Sequence, residues 1–123
     1  MKVLIAGTTG QLGRELCRTA PVGWDIVART HSELDIANLA VVERGVGETR
    51  PDVVINAAAY TAVDRAESDP NSAHAVNGSG AGNLARAASA NGASYLHVST
   101  DFVLDGDASR AYLPDSPPHP LRV

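Results

Sequence analysis

Apolar residues along this chain follow two different spacings, and the two alternate. Short apolar runs, which are typical of strands buried in a parallel sheet, occupy residues 2–6, 25–28, 52–56 and 94–98. Segments with apolar residues three or four positions apart, which are typical of amphipathic helices, occupy residues 14–20, 39–46 and 70–90. A shorter apolar run at residues 34–36 predicts a very short edge strand.

This alternation predicts an α/β fold with a doubly wound parallel sheet. Right-handed crossovers give the strand order 3-2-1-4-5, in which the run at 34–36 is the third strand along the chain. The carboxyl ends of the strands then converge on one crevice, where ligands bind in such sheets. From Gly106 onward, Gly, Asp, Ser and four prolines predict an extended tail or loop, so we assign residues 1–105 to the domain and 106–123 to the tail.

Three glycines three residues apart follow the first predicted strand and open the first predicted helix. Gly7 permits a tight turn, Gly10 lets the backbone approach phosphate oxygens, and Gly13 lets the helix pack closely on the strand. This arrangement favours a Rossmann-type dinucleotide site over a turn without a ligand. The candidate cofactor-binding residues of this turn are Gly7, Thr9, Gly10, Gln11, Leu12 and Gly13.

The residues after the second strand should meet the adenosine half of a dinucleotide. Arg29, followed by Thr30, offers a cation and a hydroxyl for a 2′-phosphate, which favours NADP, while Glu33 nearby keeps NAD possible. A solvated surface arginine is the alternative interpretation. Asp35 and Ile36 would lie near the adenine, although a plain helix N-cap explains Asp35 equally well.

Small or hydroxyl-bearing residues follow the later strands. Ala57, Ala58 and Ala59 suit a backbone that passes close beside the cofactor. Ser99 and Thr100 end the last long strand in the same crevice, where Ser99 is a candidate for the cofactor; alternatively, both merely satisfy backbone groups at the strand end. Glycines 78, 80 and 82 imitate a phosphate loop but lie inside a helical pattern, so close packing is the better explanation.

Composition narrows the class of protein. A net charge of −4 without a basic cluster argues against nucleic acid as a partner, and no apolar run approaches the ~20 residues of a membrane span. The single Cys17 and a first strand that begins directly after Met1 lead us to expect a cytoplasmic protein without a signal peptide. The four histidines lack metal-ligand spacing.

Several longer motifs resemble the dTDP-4-dehydrorhamnose reductase family, in the extended branch of the short-chain dehydrogenase/reductase superfamily. They lie at residues 7–13, 50–59, 61–67, 99–103 and 115–121, and together they span nearly the whole chain. The resemblance implies reduction of the 4-keto group of dTDP-4-dehydro-L-rhamnose to dTDP-L-rhamnose, with NADPH or NADH as cofactor.

The resemblance also implies roles for individual residues. Thr100 matches the hydroxyl residue of the family's catalytic Ser/Thr-Tyr-Lys set. Glu15 matches a residue that helps to hold Mg²⁺ at a dimer interface in some members, so a homodimer is possible. The residues implied for the dTDP-sugar site are Thr61, Val63, Thr100 and Asp101.

One feature of the family is missing from the sequence. The family's Tyr-x-x-x-Lys pair follows a Pro-Leu-x-Val segment, which here is residues 120–123; none of the three tyrosines has a lysine four places later, and the sole lysine is Lys2. We therefore expect a fragmentary reductase, truncated before the sixth strand and inactive on its own, with an unpaired edge on its last strand. A non-catalytic NAD(P)-binding regulatory module and another sugar-nucleotide reductase or epimerase are the alternatives.

Overall fold

Four parallel strands form the sheet in a computed structural model that describes residues 1–121. They are β1 (Lys2–Ala6), β2 (Asp25–Arg29), β3 (Val53–Asn56) and β4 (Ser94–His97), in the order β2-β1-β3-β4. In the register, Leu4 lies between Val27 of β2 and Val54 of β3. The α/β fold with a parallel, Rossmann-like sheet is thus confirmed, and the predicted strand order holds for these four strands.

Helical segments connect the strands. They are α1 (Gln11–Arg18), α2 (Leu39–Thr49), α3 (Val63–Ser68), α4 (Pro70–His74), a π-helical turn (Ala75–Gly80), α5 (Ala81–Ala90) and a 3₁₀ turn (Asp101–Val103). The start of α4 follows from its sequence, because Pro70 occupies the first turn and the Asp69 carboxylate accepts the Ser72 N–H at 3.2 Å. Within residues 1–121, no helix combines the length and the apolar character that a membrane span requires.

The main core lies where the central strands meet α2 and α5. Alternate residues of a strand point to opposite faces, so Leu4 and Ala6 of β1 face the same side as Val54 of β3. These residues pack with buried side chains of both helices and with Leu34 and Ile36. The helix residues of this cluster are Val42, Val46, Leu84, Ala87 and Ala88.

The predicted edge strand at residues 34–36 is wrong. These residues lie in a turn, where the Leu34 N–H donates to the Thr30 carbonyl at 2.9 Å instead of to a neighbouring strand. Leu34 and Ile36 are each 2% exposed, so their apolar side chains reflect burial in the core and not an extended backbone. Asp35 is not the N-cap of α2 either, because Asn38 holds that position and its Oδ1 accepts the Val41 N–H at 3.3 Å.

The long helical pattern over residues 70–90 forms one continuous helical segment with the π-helical turn at its centre. A Cβ on Gly80 would lie 2.8 Å from Ile36 Cγ1, so close packing explains this glycine as predicted. Gly78, by contrast, has no packing neighbour within 4 Å of a built Cβ, and close packing does not explain it.

After the 3₁₀ turn, residues 104–121 form turns and extended backbone with no helix or strand in this stretch. Asp105 ties the segment together, since its carboxylate accepts the Tyr112 hydroxyl and lies 3.1 Å from His119 Nδ1. The predicted tail includes Arg122 and Val123, which lie outside the described residues, and the division into domain and tail stays a prediction.

Candidate nucleotide-binding site

Gly7 fixes the turn between β1 and α1 in two ways. Its φ of +84° lies in the left-handed region, and its N–H donates to the Arg29 carbonyl at 3.0 Å. A Cβ at this position would lie 2.5 Å from the Ala58 nitrogen, closer than any side chain tolerates. Gly7 therefore joins the ends of β1 and β2 and the loop after β3 at one point.

Gly13 and Gly10 differ in what the protein itself demands of them. A Cβ on Gly13 would lie 2.3 Å from the Gly7 carbonyl oxygen, so only glycine fits at this buried position. A Cβ on Gly10 would meet only the same oxygen at 3.4 Å, and the φ of −74° is open to any residue. Packing therefore leaves Gly10 free to vary, and the space that its absent side chain leaves is open to a ligand.

The start of α1 has the features of an anion site. Gly10 is the N-cap and contributes no side-chain hydrogen bond, and the first turn contains no acidic residue. The first amides of a helix have no partner within the helix, and the helix dipole is positive at this end. Thr9, Gln11 and Leu12 are all exposed around this turn. Together with the open space at Gly10, this geometry fits the diphosphate of a dinucleotide.

Arg29 and Glu33 place opposite charges at the end of β2. The Glu33 carboxylate accepts the Thr30 N–H at 2.8 Å and the Thr30 hydroxyl at 2.7 Å. These bonds, with a smaller contribution from the Arg29 charge, hold the pKa of Glu33 below its ordinary value. Because the Thr30 hydroxyl already donates to Glu33, Arg29 is the better candidate of the two for a 2′-phosphate.

Asp35 and Ile36 lie in the turn that leads to α2. Ile36 is buried in the core, which leaves its side chain little free surface for an adenine ring. Its carbonyl accepts the Asn83 side-chain amide at 2.9 Å. Asp35 is half-buried, and its Oδ1 accepts the Ala37 N–H at 3.0 Å. The proposed contacts of both residues with adenine stay predictions.

A buried asparagine at the end of β3 positions the alanine loop. Asn56 is 1% exposed, and its Oδ1 accepts the Ala58 N–H at 3.0 Å. Its Nδ2 lies 3.1 Å from His97 Nδ1 on β4. The Ala57 N–H donates to the Ala6 carbonyl at 3.0 Å, so the loop begins tightly against β1, while Ala59 is exposed. Sequence reasoning missed Asn56, although a polar residue that ends an apolar strand was a usable signal.

The next residue in this loop, Tyr60, is held by a second asparagine. Asn77 of the π-helical turn accepts the Tyr60 N–H at 2.8 Å and donates to the Tyr60 carbonyl at 3.0 Å. The Tyr60 hydroxyl is buried and has no hydrogen-bond partner within residues 1–121, a situation that costs about 1–3 kcal/mol. Thr61 and Val63 follow, exposed, and line a shallow open depression with Asp64 and Arg65.

Thr100 lies after β4 at the same edge of the sheet as Gly7 and Ala57. Its Oγ accepts the Phe102 N–H at 3.2 Å and donates to the Asp101 carboxylate at 3.3 Å, so its hydroxyl is engaged in local bonds. Ser99, Thr100 and Asp101 are all exposed. The structure thus brings Arg29 and the alanine loop each into contact with the glycine turn, from opposite sides of β1. The side-chain hydrogen bonds of Thr100 join it to Asp101 and Phe102, not to that turn.

Glu15, the residue implied for Mg²⁺, lies on the exposed side of α1. Its carboxylate pairs with Arg18 at 2.7 Å. Over the described part of the chain, no three His, Cys, Asp or Glu side chains come together as a metal-binding group. The Mg²⁺ prediction depends on a second chain and stays a prediction.

The parallel sheet and the glycine turn between β1 and α1 define a Rossmann-type α/β domain. A family model described as the RmlD substrate binding domain matches residues 1–123. The chain therefore belongs to the RmlD substrate-binding domain family, which confirms the resemblance carried by its motifs.

Individual relatives agree with this assignment. The dTDP-4-dehydrorhamnose reductase of Burkholderia thailandensis is 44% identical over 123 residues, which cover 100% of this chain and 41% of that protein. The crystal structure of a dTDP-4-dehydrorhamnose reductase from Clostridium acetobutylicum superposes with a TM-score of 0.95 at 38% identity, over 99% of this chain and 44% of that one.

A second solved structure contains a cofactor. The dTDP-4-dehydrorhamnose reductase of Bacillus anthracis, in complex with NADP, matches with a TM-score of 0.95 at 38% identity, over 98% of this chain and 43% of that one. The chain thus spans about two fifths of the length of the relatives that it matches.

Proposed function

We propose that this chain is the cofactor-binding part of an NADP(H)-dependent reductase. The observation that carries the proposal is the contrast between Gly10 and the other two glycines of the turn. Gly7 and Gly13 are required by packing, whereas a Cβ on Gly10 would have only one ordinary contact. Packing does not require glycine at position 10, and this residue lies at the start of a helix whose first amides have no partner within the helix. Both features suit contact with a phosphate.

The reaction follows from the family. We propose reduction of the 4-keto group of dTDP-4-dehydro-L-rhamnose to dTDP-L-rhamnose, since the relatives described above are named as dTDP-4-dehydrorhamnose reductases. The nicotinamide cofactor would supply hydride to the carbonyl carbon. In this chain, the amides of α1 would hold the diphosphate and Arg29 the 2′-phosphate. Thr61, Val63 and Asp101 would contact the sugar nucleotide.

Thr100 would orient the ketone by donating its hydroxyl to the carbonyl oxygen. In the structure this hydroxyl donates to Asp101, so the substrate would have to replace that bond. The carbonyl oxygen also needs a proton, which the family's tyrosine supplies with the aid of a lysine. Because no tyrosine of this chain has a lysine four places later, we propose that the 123 residues alone turn over little or no substrate.

Two further elements belong to the same proposal. The single cysteine, which has no partner in the sequence for an internal disulfide, supports a cytoplasmic enzyme. A homodimer with Mg²⁺ held through Glu15 is an expectation from the family. It would need a carboxylate from a second chain, since the charged partner of Glu15 within residues 1–121 is Arg18.

A non-catalytic NAD(P)-binding module is the second candidate. It is favoured by one observation, the lack of the Tyr-x-x-x-Lys pair in the sequence. NADPH oxidation with dTDP-4-dehydrorhamnose tests both, using this chain alone and a longer protein that carries such a pair. If the longer protein turns over substrate and this chain does not, the reductase is supported. If neither protein does, the binding module is favoured. If the isolated 123-residue chain turns over substrate, the argument from the missing proton donor is refuted.

Cofactor binding is tested by titration of the chain with NADPH, followed by the fluorescence of the bound nucleotide. We expect Gly10→Val to weaken binding by at least about tenfold, because the side chain fills the space left for phosphate. Gly47→Val in α2 is the matched control, since a Cβ on Gly47 meets only the Asn91 side chain, at 3.9 Å. Equal affinity of wild type and Gly10→Val would remove the basis of the proposal.

A further inference from the structure

Asn77 and Tyr60 form a two-bond clamp between parts of the chain that are 17 residues apart. The Asn77 Oδ1 accepts the Tyr60 N–H at 2.8 Å, and its Nδ2 donates to the Tyr60 carbonyl at 3.0 Å. One side chain thus satisfies both backbone groups of Tyr60, as a neighbouring strand would. The loop at residues 57–62 has no helix or strand of its own, so its conformation depends on bonds of this kind.

The clamp holds Tyr60 in a position that is unfavourable for its side-chain hydroxyl. The Tyr60 hydroxyl is buried without a hydrogen-bond partner in the described residues. A free loop could rotate this hydroxyl into water, where it would be satisfied. The two bonds to Asn77 instead hold the Tyr60 backbone in this position, so the conformation of the loop is set from the helical segment even though it leaves a buried polar group unsatisfied.

The same helical segment holds a second loop, on the other side of the crevice. The Asn83 Nδ2 donates to the Ile36 carbonyl at 2.9 Å, and Arg86 donates to the Asn83 Oδ1 at 2.6 Å. Asn77 lies in the π-helical turn that precedes α5, and π-helical turns occur frequently at functional sites. One segment therefore supports both loops, one after β2 and one after β3.

The order of the strands separates what the two loops can contact. The loop that contains Ile36 follows β2, on the side where Arg29 would meet the adenosine half of the cofactor. Residues 57–62 follow β3, on the opposite side of β1. A dinucleotide that crosses the sheet at the end of β1 would place its nicotinamide half on that side.

We propose that Asn77 is a positioning residue, which sets the path of residues 57–62 and thereby the affinity for the nicotinamide half of the cofactor. Asn83 acts in the same way on the adenosine half. The inference rests on the proposed function, because it requires a dinucleotide in the crevice. It adds that two asparagines of one helical segment affect different halves of the cofactor.

The test compares two ligands with the complete chain. NADPH carries both halves of the cofactor, whereas adenosine 2′,5′-bisphosphate carries the adenosine half alone. We expect Asn77→Ala to weaken NADPH about tenfold and to leave the affinity for the bisphosphate within about twofold of wild type. Asn83→Ala should weaken both ligands by the same factor. Asn77→Asp keeps the acceptor for the Tyr60 N–H but loses the donor to the Tyr60 carbonyl, so we expect an intermediate loss of NADPH affinity. This second variant keeps the inference testable if Asn77→Ala does not fold.

Three results would overturn the inference, and they are distinguishable. An equal loss of both ligands in Asn77→Ala and Asn77→Asp would indicate a general structural role. Unchanged NADPH affinity in those variants would show that the clamp has no effect on binding, while the proposed function would stand. Failure of wild type to bind either ligand would remove the proposed function, and the inference with it.

Discussion

The two ends of the crevice are built differently. At the β1 end, Gly7 and Gly13 fix the turn through backbone contacts that leave no room for a Cβ. At the β4 end, Thr100 and Asp101 are exposed and are held by longer bonds between their own side chains and the Phe102 N–H. Packing within the chain thus fixes the glycine turn, whereas the residues after β4 are held by bonds to their immediate neighbours.

The largest effect should come from Gly13→Ala. Its Cβ would lie 2.3 Å from the Gly7 carbonyl oxygen, and backbone there must shift, so we expect a loss of about 3 kcal/mol in the free energy of unfolding. Gly10→Ala, whose Cβ has only a 3.4 Å contact, should cost about 1 kcal/mol or less. Urea denaturation followed by circular dichroism measures both, and similar losses would mean that packing requires glycine equally at positions 10 and 13.

Arg29→Ala should have the next largest effect, on the choice of cofactor. Loss of the guanidinium removes the partner of a 2′-phosphate, so NADPH affinity should fall about tenfold while NADH affinity changes little. Parallel titrations with the two nucleotides measure this, and Arg14→Ala on the exposed side of α1 serves as the control. Equal losses for both nucleotides would count against a 2′-phosphate contact.

Thr100→Ala should have a smaller effect on the isolated chain. The hydroxyl caps only a short 3₁₀ turn, so its removal should cost about 1 kcal/mol or less and should leave NADPH affinity unchanged. The same titration and denaturation measure this. A large loss of NADPH affinity would place Thr100 in the cofactor site and would erase the contrast between the two ends of the crevice.

The smallest effect should be a local response of the tail to pH. Hydrogen bonds from the Tyr112 hydroxyl, the Asp107 N–H and His119 lower the pKa of Asp105 from 3.8 to about 2. Because the folded pKa lies below the unfolded value, the bonds stabilise the segment above about pH 4 and are lost as the pH falls toward 2. NMR of the Tyr112 and His119 signals should show this transition, and Asp105→Asn should abolish it; a transition that persists in the variant would assign it to another group.

Sequence reasoning succeeded where one physical demand dominates. The central strands β1 and β3 are largely buried, so their apolar runs predicted them. The edge strands β2 and β4 are more exposed, but they carry apolar runs of the same kind. The spacing of Gly7 and Gly13 predicted the tight turn. It failed at residues 34–36, because alternate buried positions arise in a turn against the core as well as in a strand. Asn77 and Asn83 were missed for another reason. The sequence around an asparagine does not show which distant residue its side-chain amide will bond, and only the fold brings Tyr60 to Asn77.

The most direct test of the account is an NMR titration of the backbone amides with NADP⁺. If α1 receives the diphosphate, the amide signals of residues 10–13 should shift most, followed by those of Ala57 and Ala58, and the signals of residues 99–101 should shift least. Small shifts at residues 10–13 with larger ones elsewhere would contradict the central claim that the glycine turn is the cofactor site.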